Sequence, residues 1–160
     1  MDNVVAVFLT IVAANGAPIL LRRLLGRRMM TPVDFGCRFM DGKPVFGASK
    51  TWVGIAGIFV AGIGSAMLLQ LGLHAGFLVG AGVVLGDLFS SFVKRRLDMK
   101  VSSMAIFLDQ IPESLFPYLL VMNLLNIPLL KIAIAVLTFT AFELLVSRFL
   151  FWLRIRQQPY

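Results

Sequence analysis

Five apolar runs divide the chain, and each is long enough to cross a bilayer as a helix. They cover about 3–21, 52–71, 75–93, 104–125 and 128–153. A hydrocarbon core of about 30 Å needs roughly 20 helical residues for each crossing. The pattern therefore predicts an all-α polytopic membrane protein with five transmembrane helices, organised as one integral-membrane domain over residues 1–160. Asn15 and Pro18 interrupt the first run, and we expect both to face the protein interior, where neighbouring groups satisfy the freed backbone.

Basic residues are concentrated in two of the segments between the runs. Of the 15 Lys and Arg residues, seven lie in residues 22–51 and four in residues 94–103. Cytoplasmic loops of membrane proteins are enriched in Lys and Arg. These segments are therefore predicted to be cytosolic loops, with the N-terminus outside and the C-terminus in the cytosol. We expect a protein of the plasma (inner) membrane whose site faces the cytosol.

Composition narrows the possible chemistry. Hydrophobic residues make up 59% of the chain and charged residues 14%, which excludes a large soluble catalytic domain. A single cysteine, Cys37, excludes an intrachain disulfide, and no Cys/His cluster is present for zinc. The net charge of +7 indicates anionic partners at the basic loops, such as phosphates or lipid headgroups.

The third apolar run carries a polar face at its basic end. Asp87, Ser90, Ser91 and Lys94 stand at i, i+3, i+4 and i+7, a spacing that places them on one side of a helix. An ionisable group inside a span costs about 2.5–3.5 kcal/mol and usually marks a functional cavity. This face is the first candidate site.

The fourth run opens with two more carboxylates, Asp109 and Glu113. The third run leaves and the fourth enters through the same basic loop, so Asp87 and Asp109 are expected to face each other across a helical hairpin. Two interpretations remain open: a salt-bridge network that orders the hairpin, or two carboxylates that bind Mg²⁺ while Lys94 and Arg95 bind the phosphates that the cation bridges. Glu113 is either a third ligand or a partner of a neighbouring arginine.

The first basic loop contains a second candidate for phosphate binding. Ser49 is predicted to be the N-cap of the second span, which places Lys50 and Thr51 in the first helical turn, where free N–H groups attract anions. A P-loop is rejected because the spacing of glycines and lysine is wrong and no parallel sheet precedes it. Arg38 is a weaker phosphate-binding candidate. The structural alternative is that the basic residues of this loop contact anionic headgroups.

Several short motifs occur together and in order along the chain. They are Asn15 with Pro18, Asp41-Gly42, Gly47-Ala48-Ser49-Lys50-Thr51-Trp52, Gly86-Asp87, Ser91-Phe92, Lys94-Arg95-Arg96 and Asp109-Gln110. This set resembles the CDP-archaeol synthase family over nearly the whole chain, and the Gly-Asp-Leu, Ser and Lys-Arg elements are similar to those of the related CDP-diacylglycerol synthases. The resemblance implies Mg²⁺-dependent transfer of CMP from CTP to a lipid phosphate with release of pyrophosphate, and the lipid of the family is 2,3-bis-O-geranylgeranyl-glycerol phosphate.

Site roles follow from the residues and the resemblance together. We expect Asp87 and Asp109 to hold the metal ion and to be catalytic with Lys94. The expected nucleotide- or phosphate-binding residues are Lys50, Thr51, Arg95, Arg38, Asn15 and Ser91. The expected partners are CTP, a lipid phosphate and membrane lipids, and not nucleic acid. Members of the family carry a histidine and an asparagine in the last helix where this chain has Ser147-Arg148 and Phe151-Trp152, which leaves open whether the lipid is ether-prenyl or diacyl.

Two other functions are compatible with a small polytopic membrane protein. A CDP-alcohol phosphotransferase needs a dense run of aspartates, and this chain has only Asp41-Gly42. A small non-enzymatic transporter or lipid-binding protein with a cytosolic ion site is the second alternative. It predicts inverted internal repeats, which the sequence lacks.

Overall fold

The computed structural model describes residues 2–26, 31–101, 103 and 105–152. Five helices make up most of this part of the chain: α1 (Asn3–Leu25), α2 (Trp52–Leu68), α3 (Leu73–Arg96), α4 (Gln110–Leu125) and α5 (Leu129–Trp152). Each corresponds to one of the five apolar runs, so the all-α prediction is confirmed. The predicted span ends at residues 104 and 153, and the basic residues Arg27, Arg28, Arg154 and Arg156, lie outside the described residues.

Helix α4 begins later than the apolar run predicted. Residues 106–109 form turns, and Asp109 occupies the N-cap position. An Asp109 carboxylate oxygen accepts the N–H of Ala105 (2.9 Å), and the Gln110 side chain accepts the N–H of Phe107 (2.8 Å). The prediction of helix from residue 104 is therefore wrong, because side chains at the start of α4 bind the preceding backbone in a turn rather than allowing it to continue as helix.

Three of the helices are long and apolar enough to cross a membrane: α1, α3 and residues Leu129–Phe149 of α5, with mean hydropathies of 2.3, 1.8 and 2.1. Helix α2 is a shorter apolar helix of 17 residues, and α4 has 16. At 1.5 Å per residue these two are about 25 Å long, slightly less than the hydrocarbon thickness. The chain is an integral membrane protein built from helices.

Close helix packing depends on glycines at the crossing points. A Cβ at Gly82 or Gly86 of α3 would lie less than 3.0 Å from the α4 backbone near Pro117 and Pro112, respectively. A Cβ at Gly76 would meet the α2 backbone in the same way. Each helix packs against its neighbour in the chain, and α1 contacts all the others. The bundle is thus tightest along α3, the helix that carries the polar face.

The two basic loops meet at one end of the bundle. We call residues 26–51 the first loop and residues 97–109 the second loop. Lys43 of the first loop pairs with Asp98 of the second (2.7 Å), and Arg96 at the end of α3 pairs with Asp41 (3.0 Å). The Arg96 guanidinium also lies 4.9 Å from the ring centroid of Phe39. These contacts hold both loops over the ends of α2, α3 and α4, at what we call the loop end of the bundle.

Candidate functional site

A pocket of about 70 Å³ opens at the loop end, between α1, the first loop, α2 and α3. Its polar lining comes from Ser49, Lys50 and Thr51 at the end of the first loop and from Asp87 on α3. Pro18 of α1 closes one side, as expected for an interruption that faces the protein interior. The pocket therefore brings together residues that are far apart in the chain.

Lys50 and Asp87 form an ion pair in this pocket. Their side chains are 20% and 22% exposed, and the Lys50 ammonium donates to Asp87 Oδ1. The ammonium also interacts with the carboxylates of Glu113 and Asp109. Burial alone would lower the pKa of Lys50, but the attraction of the three carboxylates outweighs it and raises the pKa above the ordinary value of 10.5. Lys50 is therefore positively charged and is surrounded by the three carboxylates.

Glu113 of α4 lies against Asp87. Its side chain is close enough to interact electrostatically with Asp87 and with Glu143 of α5. The contact arises because Gly86, immediately before Asp87, packs on the α4 backbone at Pro112 and Glu113. Two carboxyl groups in contact repel unless they share a proton or a cation. The sequence singles out Glu113 as an acidic residue inside a span, but it does not indicate that Asp87 is its neighbour.

Lys94 and Asp109 form a second ion pair with a distance of 2.7 Å between Nζ and Oδ1. Their side chains are only 9% and 12% exposed. Lys94 Nζ also donates to the carbonyl of Ser103 (2.9 Å), while Asp109 Oδ2 accepts from Ala105 (2.9 Å). The pair therefore fastens the second loop to α3.

The remaining polar residues of α3 are buried beside these pairs. Ser90 and Ser91 are 0% and 2% exposed, and Lys94 lies on the same buried side. The Ser90 hydroxyl donates to the Asp87 carbonyl (3.1 Å). Arg95 donates to the carbonyl of Lys100 (2.9 Å), and its Nε is buried without a hydrogen-bond partner. The polar face predicted from the helical spacing is thus a buried face of the bundle.

Thr51, and not Ser49, is the N-cap of α2. Its hydroxyl accepts the N–H of Gly54 (3.1 Å), and the helix begins at Trp52. The predicted cap at Ser49 is wrong because Ala48 and Ser49 lie in a turn that the Lys50 N–H closes on the Gly47 carbonyl (3.2 Å), and the Lys50 carbonyl accepts the N–H of Val33 (2.8 Å) instead of a helical donor. Lys50 therefore lies before the helix rather than in its first turn.

Arg38 and Asn15 have different surroundings. Arg38 is exposed and donates to the carbonyl of Gly42 (3.2 Å) within its own turn of the first loop. It is not among the residues that line the pocket. The Asn15 amide nitrogen is buried without a hydrogen-bond partner, one helical turn before Pro18. Asn15 is thus a free donor near the pocket, whereas Arg38 is held at the loop surface.

Asp34 is a structural residue of the site that the sequence did not reveal. Its carboxylate is 8% exposed and accepts the N–H groups of Gly36 (3.0 Å), Phe46 (2.9 Å) and Gly47 (2.8 Å). Burial alone would raise the pKa of Asp34, but these donors lower it below 3.8. Asp34 thereby shapes the segment that leads into Lys50. The short turn from Asp34 to Gly36 can be predicted from the sequence. The hydrogen bonds from Phe46 and Gly47, twelve and thirteen residues away, cannot.

The chemistry of the donors suits a hard divalent cation. Among the residues that the structure describes, no group of three or more His, Cys, Asp and Glu is arranged to hold a metal ion by itself. Asp87 and Glu113 nevertheless lie close enough to interact electrostatically, and the Lys50 ammonium interacts with both and with Asp109. Mg²⁺ is commonly bound through one or two carboxylates, with water and substrate phosphates completing its shell. The residues present fit that mode of binding.

Comparison with known proteins agrees with the family resemblance of the sequence motifs. The family described as CarS-like: CDP-archaeol synthase matches residues 5–160. The CDP-archaeol synthase of Hyperthermus butylicus is 37% identical over 117 residues, which cover 69% of this chain and 66% of that protein. The CDP-archaeol synthase of Thermofilum pendens is 34% identical over 154 residues, 92% of this chain and 75% of that protein.

A solved structure has the same fold. It is described as an intramembrane enzyme for archaeal membrane lipids biosynthesis, is 25% identical and superimposes with a TM-score of 0.77 over 92% of this chain and 96% of its own. The resemblance seen in the motifs is therefore confirmed, and this chain belongs to the CDP-archaeol synthase family.

Proposed function

We propose that this protein transfers CMP from CTP to a lipid phosphate at the loop end of the bundle. An oxygen of the lipid phosphate attacks the α-phosphorus of CTP, the bond from that phosphorus to the bridging oxygen breaks, and pyrophosphate leaves. The observation that carries the proposal is the family match over residues 5–160 together with the cluster of Lys50, Asp87 and Glu113 at a pocket. The names of the relatives favour an ether-linked prenyl lipid phosphate as the acceptor.

The loop end is proposed to face the cytosol, with all five helices crossing the plasma membrane. Eleven of the 15 basic residues lie in the two segments at this end, which the positive-inside rule assigns to the cytoplasm. CTP then reaches the pocket from the cytosol, and the lipid phosphate reaches it from the headgroup level. The two shorter helices, α2 and α4, both begin at this end, so the pocket lies close to the water interface.

Asp87 and Asp109 are proposed to hold Mg²⁺, with Glu113 as an additional oxygen donor. The bound cation offsets charge on the triphosphate and on the leaving pyrophosphate. Lys94 is proposed to act by keeping Asp109 in place. Because phosphoryl chemistry depends mainly on positioning and electrostatics, no covalent intermediate on the protein is needed.

Phosphate and nucleotide binding is proposed for the polar residues around this centre. These are Lys50, Thr51, Arg95, Ser91, Asn15 and Arg38. Lys50 is best placed because it lines the pocket itself. The unpartnered Asn15 amide supports a contact with substrate, whereas Arg38 must leave its turn to take part.

Incubation of the purified protein with labelled CTP, Mg²⁺ and a panel of lipid phosphates tests the proposal. We expect one pyrophosphate for each CDP-lipid formed, and formation only when a lipid phosphate is present. Comparing an ether-prenyl with a diacyl phosphate identifies the acceptor, and exchanging CTP for UTP or ATP tests the base. Absence of pyrophosphate with every lipid phosphate contradicts the proposal and favours the transporter or lipid-binding alternative.

A further inference from the structure

Lys50 stands where carboxylates from two helices converge. Its ammonium pairs with Asp87 of α3 and interacts with Glu113 of α4 and with Asp109 at the start of α4. Asp109 already has Lys94 as its partner. Asp87 and Glu113 interact electrostatically with each other, and the Lys50 ammonium therefore supplies the positive charge that compensates them. A point that attracts a lysine ammonium in this way also attracts a divalent cation.

The lysine and its partners differ in how firmly they are held. Asp87 and Glu113 project from helices that pack backbone to backbone at Gly86. Lys50 belongs to the loop segment that follows a turn and precedes α2, and its side chain has four carbons and rotatable donors. Lys50 lines the same pocket as Ser49, Thr51 and Asp87, so open space lies beside its side chain. The side chain can therefore change partner while the carboxylates stay in place.

We propose that the Lys50 ammonium occupies the position of the divalent cation in the ligand-free protein, and that it moves from Asp87 to the substrate phosphates when the cation binds. This inference rests on the proposed function for the identity of the phosphates. It predicts that a divalent cation alone binds weakly, because Lys50 must first give up its ion pair. A triphosphate in the pocket offers Lys50 a new anionic partner, so cation and nucleotide favour each other's binding.

Direct binding of Mn²⁺ in mildly alkaline buffer, followed by the electron paramagnetic resonance signal of the free ion, tests the exchange without any turnover. In the absence of nucleotide we expect Lys50→Gln to bind Mn²⁺ about tenfold more tightly than the wild type, which corresponds to about 1.4 kcal/mol. Lys50→Arg keeps the charge and is expected to bind as weakly as the wild type. Lys131→Gln is the matched control, because Lys131 also pairs with an aspartate, Asp2 (3.2 Å).

A second measurement needs no substitution. Amine-directed chemical labelling of the wild type, read by mass spectrometry, is expected to modify Lys50 several-fold faster when Mg²⁺ is added, because the amine is then released from Asp87. Lys131 serves as the internal reference and is expected to keep its rate. In Asp87→Asn the labelling of Lys50 is expected not to respond to Mg²⁺.

Two results overturn the inference: Mn²⁺ affinity of Lys50→Gln equal to or below that of the wild type, or labelling of Lys50 unchanged by Mg²⁺. These outcomes are separable from a failure of the proposed function. If no lipid phosphate accepts CMP while Lys50→Gln still binds Mn²⁺ more tightly, the activity is wrong and the exchange stands. If transfer occurs and the Mn²⁺ affinity does not rise, the exchange alone is wrong.

Discussion

Two lysine–aspartate pairs, each with one partner on α3, have the same chemistry but differ in burial and surroundings. Lys94 and Asp109 are almost fully buried, and each also binds a backbone group of the second loop. Lys50 and Asp87 are about twice as exposed and line a pocket, and both interact electrostatically with Glu113. The first pair is held to the second loop by these backbone hydrogen bonds, whereas the second pair has an additional carboxylate nearby and lies beside open space.

This difference in burial indicates different roles for the two ion pairs. Removing one partner of a buried ion pair is costly because the other charge is left without compensation. A pair at the edge of a pocket can exchange a partner for water or a ligand at lower cost. We therefore expect the Lys94–Asp109 pair to contribute to stability as well as to cation binding and the Lys50–Asp87 pair to contribute mainly to activity, and the following substitutions test that difference.

The largest effect is expected for Asp87→Asn. The change removes the carboxylate that faces Lys50 and the proposed cation, and we expect CMP transfer to fall about a thousandfold, equivalent to about 4 kcal/mol of transition-state stabilisation. The unfolding midpoint in detergent is expected to stay close to that of the wild type. Transfer is measured with labelled CTP, with Lys131→Gln as the control. If Asp87→Asn keeps the wild-type rate of transfer, the assignment of Asp87 as a ligand of the cation is wrong.

Asp109→Asn is expected to lower stability as well as CMP transfer. It leaves the buried Lys94 ammonium without a counter-charge, at a cost of about 3–5 kcal/mol, measured by unfolding in detergent. Replacing both partners, in Lys94→Met with Asp109→Leu, is expected to recover part of this loss. If Asp109→Asn unfolds like the wild type, the stabilising role of the pair is wrong. If it keeps wild-type Mn²⁺ binding and transfer, Asp109 is not a ligand of the cation.

Gly86→Ala tests the helix contact that brings Asp87 to Glu113. The added methyl group meets the α4 backbone at Pro112, and we expect a destabilisation of about 1–3 kcal/mol together with reduced transfer. Gly64→Ala in α2 is the matched control, since a Cβ there has nothing within 4 Å. Its expected effect is a slight stabilisation, because alanine favours helix over glycine. Equal effects of the two substitutions would show that the crossing at Gly86 is not tight.

The smallest effect is expected for Asp34→Asn, which weakens the support of the segment that carries Lys50. We expect a loss of about 1 kcal/mol. Because the pKa of Asp34 is lowered below 3.8, its stabilisation is present above that value and is lost as the pH falls through the lower folded pKa. Unfolding measured across the acid range is expected to show this component in the wild type and not in Asp34→Asn. An identical acid dependence in both proteins contradicts the role of Asp34.

Local patterns predicted the helices well and their ends less well. The apolar runs identified all five helices, and helical spacing placed Ser90, Ser91 and Lys94 on one face, because both depend only on neighbours in the chain. The start of α4 and the N-cap at Thr51 were missed. Each is decided by a contact with a backbone group of a loop, for which the sequence carries no periodic signal.

The sequence by itself determined that this protein is a helical membrane protein, that most of its basic residues lie in two loops and that acidic residues interrupt three of its spans. Composition and periodicity are sufficient for these conclusions because the bilayer constrains length and polarity so strongly. Only the tertiary structure decided which lysine meets which aspartate. Lys50 pairs with Asp87 across 37 positions of the chain, because glycines let the helices approach and Asp34 shapes the loop, and such distant contacts depend on packing in three dimensions.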